Sequence, residues 1–332
     1  IFSEKRMGHC SSQENAYACA VNSNGDLFFG GVFMMIPSGA YYAYMVKLNS
    51  SGVIQQQHLF GQEMQSIRDI VVDDNDNVYT CGSGVNSGVQ SAYVVKYDNL
   101  GQVVWQKKIS RGSGYNEALE SLAVDSSGNV YAAGYSNPNS GDGVLVKLNS
   151  SGTVQYSKYV GSSGEYSTIG IACDRDDNVY VVGKDTTNQT SGRDFLIVKI
   201  NSSGTVQWKR SFGVFGRYSN GYAIAVDSKD NIVVSGSSYF VPGTHTGGYD
   251  YQNLLIGRFL SDGSGTGTNS LNGYSYIYQS TTAGFGNISP AFSATNASNS
   301  YTGLSGGLGG YTISNSSQSD GTWDLDSTFI VP

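Results

Sequence analysis

The sequence predicts an all-β chain folded as a single six-bladed β-propeller. Three observations lead to this fold class. A motif built around a polar turn recurs five times at steps of about 50 residues. A second strand-like element follows each copy at a variable distance. The composition, with 44 glycines, 24 tyrosines and 5 prolines among 332 residues, favours many short strands joined by turns.

The first element of the repeat consists of two short apolar runs around a polar turn. Its copies close on Gly31, Gly82, Gly134, Gly183 and Gly236, so that successive copies are 51, 52, 49 and 53 residues apart. Turns rich in Asp, Asn, Ser and Gly between apolar runs are typical of β-hairpins. The copies are AVNSNGDLFFGG (20–31), VVDDNDNVYTCG (71–82), AVDSSGNVYAAG (123–134), ACDRDDNVYVVG (172–183) and AVDSKDNIVVSG (225–236).

The second element adds two more strands to each unit. Four copies are clear, and a fifth is reduced to LIGRFLSDG: the clear ones are MVKLNSSGVIQQQHLFG, VVKYDNLGQVVWQKKIS, LVKLNSSGTVQYSKYVG and IVKINSSGTVQWKRSFG. Each unit therefore holds strands a to d: a ends at the turn Asp, b ends at the Gly, and c and d form the second hairpin. Strand d ends in Lys107, Lys158 or Lys209, as expected of a protected outer edge. Four antiparallel strands repeated in this way predict a propeller blade.

The pattern D-x-x-G/D-N-V-Y-x-x-G resembles the repeat of the SBBP and NHL-type β-propellers. The five copies cover residues 17–260, which is most of the chain. The resemblance implies the fold, and it suggests seven blades where this sequence offers six. It implies no particular function, because propellers carry many unrelated activities.

The two chain ends predict how the ring closes. Residues 1–8 (IFSEKRMG) align with a strand d, YSYIYQST (274–281) supplies strand d of blade 5, SATNASNSYTGLSG (293–306) is a degenerate a–b hairpin, and DSTFIV (326–331) is a last strand c. The N-terminal strand should then complete the C-terminal blade and leave no open edge. The predicted propeller spans 1–332, with closing strand d at 1–8, blade 1 at 17–61, blade 2 at 65–110, blade 3 at 115–161, blade 4 at 165–213, blade 5 at 217–284 and a degenerate blade 6 at 288–332.

The polar turn of the repeat has three possible interpretations. Asp73, Asn75 and Asn77 alternate like the first ligands of a calcium loop, but no bidentate Glu follows, and Lys229 holds the middle position in another copy. A phosphate cradle requires a helix N-terminus, whereas a strand follows here. A hairpin turn is favoured, since Asp accepts backbone N–H bonds and Gly, Asn or Asp tolerates the left-handed conformation. We therefore expect no metal and no other cofactor.

Bulk properties exclude several partners. Charged residues make up 14% of the chain and the net charge is -7, so a nucleic-acid partner is not expected. No run of 18 apolar residues is present, so no membrane insertion is expected. The first residue is not Met, which suggests a processed or trimmed N-terminus or a longer parent chain. Cys10 and Cys19 could pair, but buried free thiols are favoured for Cys19, Cys81 and Cys173.

Catalytic motifs are weak. The histidines are His9, His58 and His245; His58 is expected on the surface of a strand d, and no Ser/His/Asp set can be placed. SQSDGTW (317–323) has the composition of a sialidase turn, with the wrong spacing and in one copy only. Glu63, Glu117 and Glu165 fall in d–a connections, where solvated carboxylates are favoured over a catalytic pair. We therefore predict that the protein is not an enzyme.

Recognition fits better, because the b–c and d–a loops are long and diverse over a fixed scaffold. Aromatic rings beside Asn, Asp and Ser suit both sugar faces and protein interfaces, although several can instead pack between blades. The candidate ligand-binding residues are Tyr41, Tyr42, Tyr239, Phe240, Tyr249 and Tyr251 in b–c loops, and Tyr115, Tyr166 and Tyr218 in d–a loops.

These features predict a non-catalytic recognition or adhesion module located outside a cell, on a cell surface or on a virion. Its partner would be a cell-surface glycan or protein. The charge-poor surface rich in Gly, Ser, Asn and Tyr resembles that of phage appendage and bacterial surface proteins. A structural or decoration role, with other subunits of a virion or surface assembly as partners, and a propeller glycosidase or lyase remain alternatives.

Overall fold

A computed structural model shows an all-β chain of antiparallel sheets. The described residues contain 26 strands, and no helix among them is long and apolar enough to cross a membrane. The structure describes residues 5–8, 12–35, 38–60, 64–86, 88–112, 114–137, 142–160, 170–185, 194–215, 217–240, 253–271, 274–281, 285–287, 293–296, 301–303 and 312–315.

The first two predicted units each form an antiparallel a-b-c-d sheet, as predicted. A short strand, β1 (Lys5–Gly8), precedes them. The strands of blade 1 are β2 (Ser12–Val21), β3 (Leu27–Met35), β4 (Ala40–Leu48) and β5 (Ile54–Phe60), and those of blade 2 are β6 (Ser66–Val72), β7 (Val78–Asn86), β8 (Val89–Tyr97) and β9 (Val103–Ser110).

The next two units repeat this four-stranded arrangement, and a fifth begins it. In the fifth, the described strands are a, b and c only. The strands of blade 3 are β10 (Asn116–Val124), β11 (Val130–Asn137), β12 (Asp142–Leu148) and β13 (Val154–Val160); those of blade 4 are β14 (Gly170–Cys173), β15 (Val179–Asp185), β16 (Asp194–Ile200) and β17 (Val206–Val214); and those of blade 5 are β18 (Arg217–Val226), β19 (Ile232–Phe240) and β20 (Asn253–Phe259).

Successive blades pack face to face, which gives the molecule its propeller-like form. The inner strands β2, β6, β10, β14 and β18 lie beside one another in that order. Apolar clusters fill the space between neighbouring sheets, for example Met45 and Phe60 of blade 1 against Ile67 and Tyr93 of blade 2. The alternation of side chains along each strand supplies one apolar face to each neighbouring blade, so the strands are buried on both faces.

The C-terminal strands do not form the predicted sixth blade. After β21 (Gly267–Leu271), they add to the outer edges of earlier blades in reverse order. These strands, which we call the strap, are β22 (Tyr274–Ser280) on β17, β23 (Phe285–Asn287) on β13, β24 (Ser293–Asn296) on β9, β25 (Tyr301–Gly303) on β5 and β26 (Thr312–Asn315) on β1.

Two expectations about the C-terminal region are therefore corrected. Residues 274–281 pair with β17 rather than forming strand d of blade 5. Residues 293–306 do not make an a–b hairpin, because β24 and β25 pair with β9 and β5 instead. Each strap strand satisfies backbone groups that an outer strand d would otherwise leave unpaired. The six-blade count is not confirmed, and the predicted strand at 326–331 lies outside the described residues.

The N-terminal strand pairs with a C-terminal strand, as predicted, but with a different partner. Lys5–Gly8 pairs antiparallel with Thr312–Asn315. Together, β1 and β26 form a two-stranded sheet, which we call the terminal ribbon.

Candidate functional site

The polar turns that define the repeat are structural. In blade 3, the carboxylate of Asp125 accepts bonds from the backbone N–H of Ser127 and Asn129, the Asn129 side chain and the Tyr131 hydroxyl. Gly128 has a φ of 73° and donates its N–H to the Asp125 carbonyl. The hairpin-turn interpretation is therefore confirmed for this copy.

The same turns also connect neighbouring blades. Asp76 accepts the N–H and hydroxyl of Ser23 from blade 1, and Asp177 accepts the same two groups of Ser126 from blade 3. Both aspartates have φ near 60°, in the left-handed region that Asp tolerates in turns. These hydrogen bonds lower the pKa of Asp76.

A cavity of about 410 Å³ opens at this end of the molecule, between the turns of blades 2 to 5. Its wall includes Asp73, Asp125, Asp174 and Asp227 together with Arg175. The four aspartates are the turn carboxylates, whose oxygens already accept bonds within their own hairpins. In the part of the chain that the structure describes, no three His, Cys, Asp or Glu side chains converge as metal ligands. The acidity of this cavity therefore follows from the turns.

At the opposite end, the strands continue into the predicted loops. Tyr41 and Tyr42 lie in β4, Tyr239 and Phe240 in β19, and Tyr218 in β18, so these five residues belong to strands. Aromatic residues favour strands, where cross-strand partners cover their rings. Tyr115 immediately precedes β10, as predicted for a d–a connection. Tyr166, Tyr249 and Tyr251 lie outside the described residues.

Several of these rings pair within their own blade. Tyr218 and Tyr239 are opposite each other, with ring centroids 5.5 Å apart, and Tyr42 meets Phe33 at 6.4 Å. The guanidinium of Arg111 lies 4.2 Å from the ring of Tyr115. Tyr41 is 47% exposed, and Tyr42, Tyr115, Tyr218 and Tyr239 are half-buried. The structure thus spreads the predicted aromatics over blades 1, 3 and 5 and does not gather them into one pocket.

A second set of residues was not predicted and lies on the inner strands. In β2, β6, β10 and β18 the pairing with strand b slips by one residue, which forms a bulge. The extra residue is Tyr17, Arg68, Glu120 or Tyr222. A bulge redirects one side chain away from the pattern of its strand. We call these four residues the bulge set.

Arg68 lies near two other members of the bulge set, one from each neighbouring blade. The Arg68 guanidinium lies 4.8 Å from the ring centroid of Tyr17, and its Nε is 3.8 Å from Oε2 of Glu120. All three side chains are reached by water, and Tyr222 is 43% exposed. Burial raises the pKa of Glu120, while Arg68 opposes that shift. A ring face, a planar guanidinium and a carboxylate therefore stand side by side along the inner strands.

Asp69, beside the bulge, fixes the inner strands of blades 2 and 3 to each other. Its carboxylate accepts the backbone N–H of Leu122 at 2.7 Å and the hydroxyl of Ser121 at 3.1 Å. Its other oxygen accepts the N–H of Ile70. Arg68 and Glu120 are thus held on two strands that cannot slide freely. The sequence signal is the fifth residue before the turn Asp or Asn, which is a Tyr, Arg or Glu in four of the five repeats; the fourth repeat has Ile169 there.

Three buried carboxyl groups, Glu117, Asp185 and Asp194, lie toward the end of the blades opposite the polar turns. Glu117 lies in β10 and is fully buried, so it is neither in a loop nor solvated as expected; Glu63 and Glu165 lie outside the described residues. Burial raises the pKa of Glu117 to about 7, although one oxygen accepts the Arg111 N–H. Asp194 lies opposite Asp185 in blade 4, and burial raises its pKa to about 6. Thr281 donates its hydroxyl to Asp185, which ties the end of β22 to this pair.

Other residue expectations are corrected by the same burial pattern. His58 lies in β5 as predicted, but it is buried and its Nε2 is 2.7 Å from the carbonyl of Gly101. Cys81 is buried as expected and Cys173 is half-buried, whereas Cys19 is exposed. Cys19 is a free thiol, so the pairing with Cys10 does not form; Cys10 itself lies outside the described residues.

Comparisons with known proteins give structural matches only. No family model and no curated protein matches the sequence. Among solved structures, a protein of unknown function from Dyadobacter fermentans is 10% identical over 89% of this chain and 96% of its own, with a TM-score of 0.47. A subtype N11 neuraminidase-like protein of influenza A/flat-faced bat/Peru/033/2010 (H18N11) is 13% identical over 76% of this chain and 88% of its own, with a TM-score of 0.37. Sqt1 from Chaetomium thermophilum is 11% identical over 87% and 97%, with a TM-score of 0.33.

Proposed function

We propose that the protein is a non-catalytic recognition module that binds a surface glycan at the bulge set. The observation that supports this proposal is the row of Tyr17, Arg68 and Glu120, which are water-accessible and belong to three blades, with Arg68 near both of the others. An aromatic face stacks on the apolar face of a sugar, and a guanidinium and a carboxylate form charge-assisted bonds to its hydroxyls. The scaffold repeats, yet this position varies from blade to blade, as a specificity position would.

The same proposal includes the location of the protein. A charge-poor surface that binds glycan suits an extracellular, cell-surface or virion protein. The SBBP and NHL-type resemblance remains compatible with this function. A structural or decoration role, and a glycosidase or lyase, are the competing outcomes of the test below.

The test is a glycan array probed with the protein displayed at high valency. We expect at least one glycan class to bind, and Tyr17→Ala and Arg68→Ala each to weaken binding by about 30-fold, roughly 2 kcal/mol, as for central Tyr and Arg anchors. Arg68→Lys should bind the glycan nearly as weakly as Arg68→Ala, because Lys lacks the planar guanidinium that donates two parallel hydrogen bonds. Val104→Ala, at an exposed position on an outer strand, is the matched control and should bind as the unmodified protein does.

Each other outcome excludes part of the proposal. Binding that survives Tyr17→Ala and Arg68→Ala places the ligand elsewhere. No binding on the array favours a structural role. New reducing ends released from a bound polysaccharide would show a glycosidase or lyase and overturn the non-catalytic assignment.

A further inference from the structure

Blade 5 presents an unpartnered apolar face. Leu254 and Ile256 of β20 are 71% and 52% exposed. They flank Leu255, which pairs with the closing glycine Gly236. In blades 1, 2 and 4 the residues in this register are fully buried against the next blade: Ala43 and Met45, Ala92 and Val94, and Phe195 and Ile197. The same position is therefore core in the earlier blades and surface in blade 5.

Blade 1 shows the complementary opening on its inner strand. Cys19 pairs with Phe29, and Phe29 lies two residues before the closing glycine of blade 1. Ile70, Leu122 and Ile171 hold that register in blades 2, 3 and 4, and they are 3% to 5% exposed. Cys19 is exposed. Among the described residues, apolar clusters join blades 1 to 2, 2 to 3, 3 to 4 and 4 to 5, and none joins blade 5 to blade 1.

The terminal ribbon has the position and pattern of the outer strands that blade 5 lacks. Each strand d leads into the inner strand of the next blade through two to nine residues (61–65, 111–115, 161–169 and 215–216). β1 leads into β2 in the same way, through residues 9–11. By chain order, β1 is thus the strand d of the blade that precedes blade 1.

The strap pairs support the same assignment. In each described strand d and in β1, one apolar residue pairs in register with an apolar residue of the strap. The five pairs are Phe60 with Tyr301, Ile109 with Ala294, Val160 with Phe285, Phe212 with Tyr278, and Met7 with Ile313. The pair in the terminal ribbon follows the rule of the four complete blades.

We propose that the terminal ribbon docks on β20 and closes a ring of five blades, each with strands a to d and an outer strap strand. Blades 2, 3 and 4 supply the register between strands c and d. On strand c, one residue pairs with the closing glycine of strand b, and the residue just before it pairs with the apolar residue of strand d. By that register, Met7 lies opposite Leu254 and Lys5 opposite Ile256. Closure covers Leu254, Ile256 and Cys19 between blades 5 and 1. It does not depend on the ligand proposed above.

Cross-linking of paired cysteines tests this register. Met7→Cys with Leu254→Cys is made in a Cys10→Ser, Cys19→Ser background and treated with a short thiol–thiol cross-linker. Residues directly opposite in an antiparallel pair have Cβ atoms about 4.5–5.5 Å apart, within reach of such a reagent. Met7→Cys with Ile313→Cys is the positive control, because these residues pair in the structure. Met7→Cys with Val104→Cys, on the outer strand of blade 2, is the negative control.

We expect an intramolecular Met7→Cys–Leu254→Cys cross-link in the monomer, located by peptide mass mapping. Links found only between chains would overturn the proposal in favour of strand exchange between two copies. No link, with the positive control linked, would overturn it as well. Melting curves of all variants confirm that each one is folded.

Labelling of Cys19 gives a second, independent measurement. In the Cys10→Ser protein, closure should slow maleimide labelling of Cys19 by at least about tenfold relative to the urea-unfolded chain. Deletion of residues 1–8 should restore fast labelling. Fast labelling of Cys19 in the intact, folded protein contradicts closure. Cys81, which is fully buried, is the internal reference.

Discussion

At the scale of single residues, the turn aspartates hold the repeat together. Each one satisfies several donors of its own hairpin, and two have a lysine nearby: Nζ of Lys147 lies 3.7 Å from Asp125 and Nζ of Lys199 lies 3.6 Å from Asp174. In blade 1, where Asn22 holds the turn position, Lys47 pairs with Asp26 instead. A donor left without its acceptor in a buried turn costs more free energy than the bond itself contributes. The conspicuous motif of this sequence is therefore a folding motif.

Replacement of Asp125 by alanine should lower the free energy of unfolding by about 2–4 kcal/mol, because four donors and the Lys147 ammonium lose their acceptor. Urea unfolding followed by tyrosine and tryptophan fluorescence measures the change. Asp74→Ala, at an exposed position of the neighbouring blade's turn, is the control and should change stability by no more than about 0.5 kcal/mol. Equal effects of both substitutions would contradict the structural role of Asp125.

Glu117 should make stability depend on pH in a specific direction. Its pKa rises from 4.5 in the unfolded chain to about 7 in the fold, so the folded state binds the proton more tightly. Its contribution is therefore favourable below pH 4.5 and is lost as the pH rises toward 7. Relative to the unmodified protein, Glu117→Gln should gain about 2 kcal/mol between pH 5 and pH 7. Urea unfolding at both pH values measures this, and an unchanged difference contradicts it.

The sequence predicted residue roles unevenly. The turns were predictable because Asp and Gly or Asn act through local backbone geometry. The burial of His58 and Glu117 was not, since it depends on which blade packs over them. The bulge set was not predicted. A one-residue slip in pairing interrupts the alternation of inward and outward side chains along the strand, but no Gly, Asn or Asp turn residue marks the position in the sequence.

At the scale of elements, a close approach of strands a and b explains why each copy of the repeat carries its closing glycine, although strand b continues past this glycine and does not end there as predicted. A Cβ on Gly134 would overlap the carbonyl oxygen of Ala118 on the neighbouring inner strand, and Gly31, Gly82 and Gly236 stand in the same relation to Asn15, Ser66 and Asn220. The close approach occurs beside the bulge in each of these blades. Only glycine lets strands a and b remain paired there.

Gly134→Ala should therefore destabilise the fold by about 2–4 kcal/mol, since the backbone of blade 3 must move to accept the methyl group. Gly267→Ala is the matched control, because a Cβ there meets no atom within 4 Å. Thermal unfolding by circular dichroism compares the two. A Gly134→Ala protein as stable as the control would mean that strands a and b tolerate separation.

The strap contributes packing as well as pairing. Tyr278 of β22 is 5% exposed and stacks on Phe259, with ring centroids 4.3 Å apart. Tyr278→Ala should cost about 3–5 kcal/mol, whereas Tyr278→Phe keeps the ring and should cost less than about 1.5 kcal/mol. Both changes in the free energy of unfolding follow from the denaturant midpoints, provided that the dependence of that free energy on denaturant concentration is the same for all variants. A mild effect of the alanine variant would show that β22 adds little to the core.

The strap could not be predicted from local sequence. β23 and β25 are three residues long and β24 and β26 are four, rich in Gly, Ser, Asn and Thr, so they carry no alternation. Their partners lie far away in the chain, and only the pairing register reveals the recurring apolar residue. The a–b and c–d hairpins were predictable because their pairing is local and repeated.

At the scale of the whole molecule, deletion of residues 1–8 should lower the melting temperature by several degrees. The deletion removes β1 and leaves β26 without its partner. With an unfolding entropy of about 2.1 cal/mol/K per residue, a loss of about 2 kcal/mol corresponds to roughly 3 °C for a chain of 332 residues. Differential scanning calorimetry measures it, and an unchanged melting curve would sink the assignment of β1 as an integral strand.

The reversed direction of the strap has a consequence for synthesis of the protein. Translation delivers blades 1 to 5 first, and their outer edges stay open until the strap has left the ribosome. The strap then pairs in the order β22 to β26, from blade 4 back to blade 1 and finally to β1. Open edge strands invite intermolecular pairing, so the nascent chain is most prone to aggregate before the strap emerges. Completion of the fold therefore waits for synthesis of the strap.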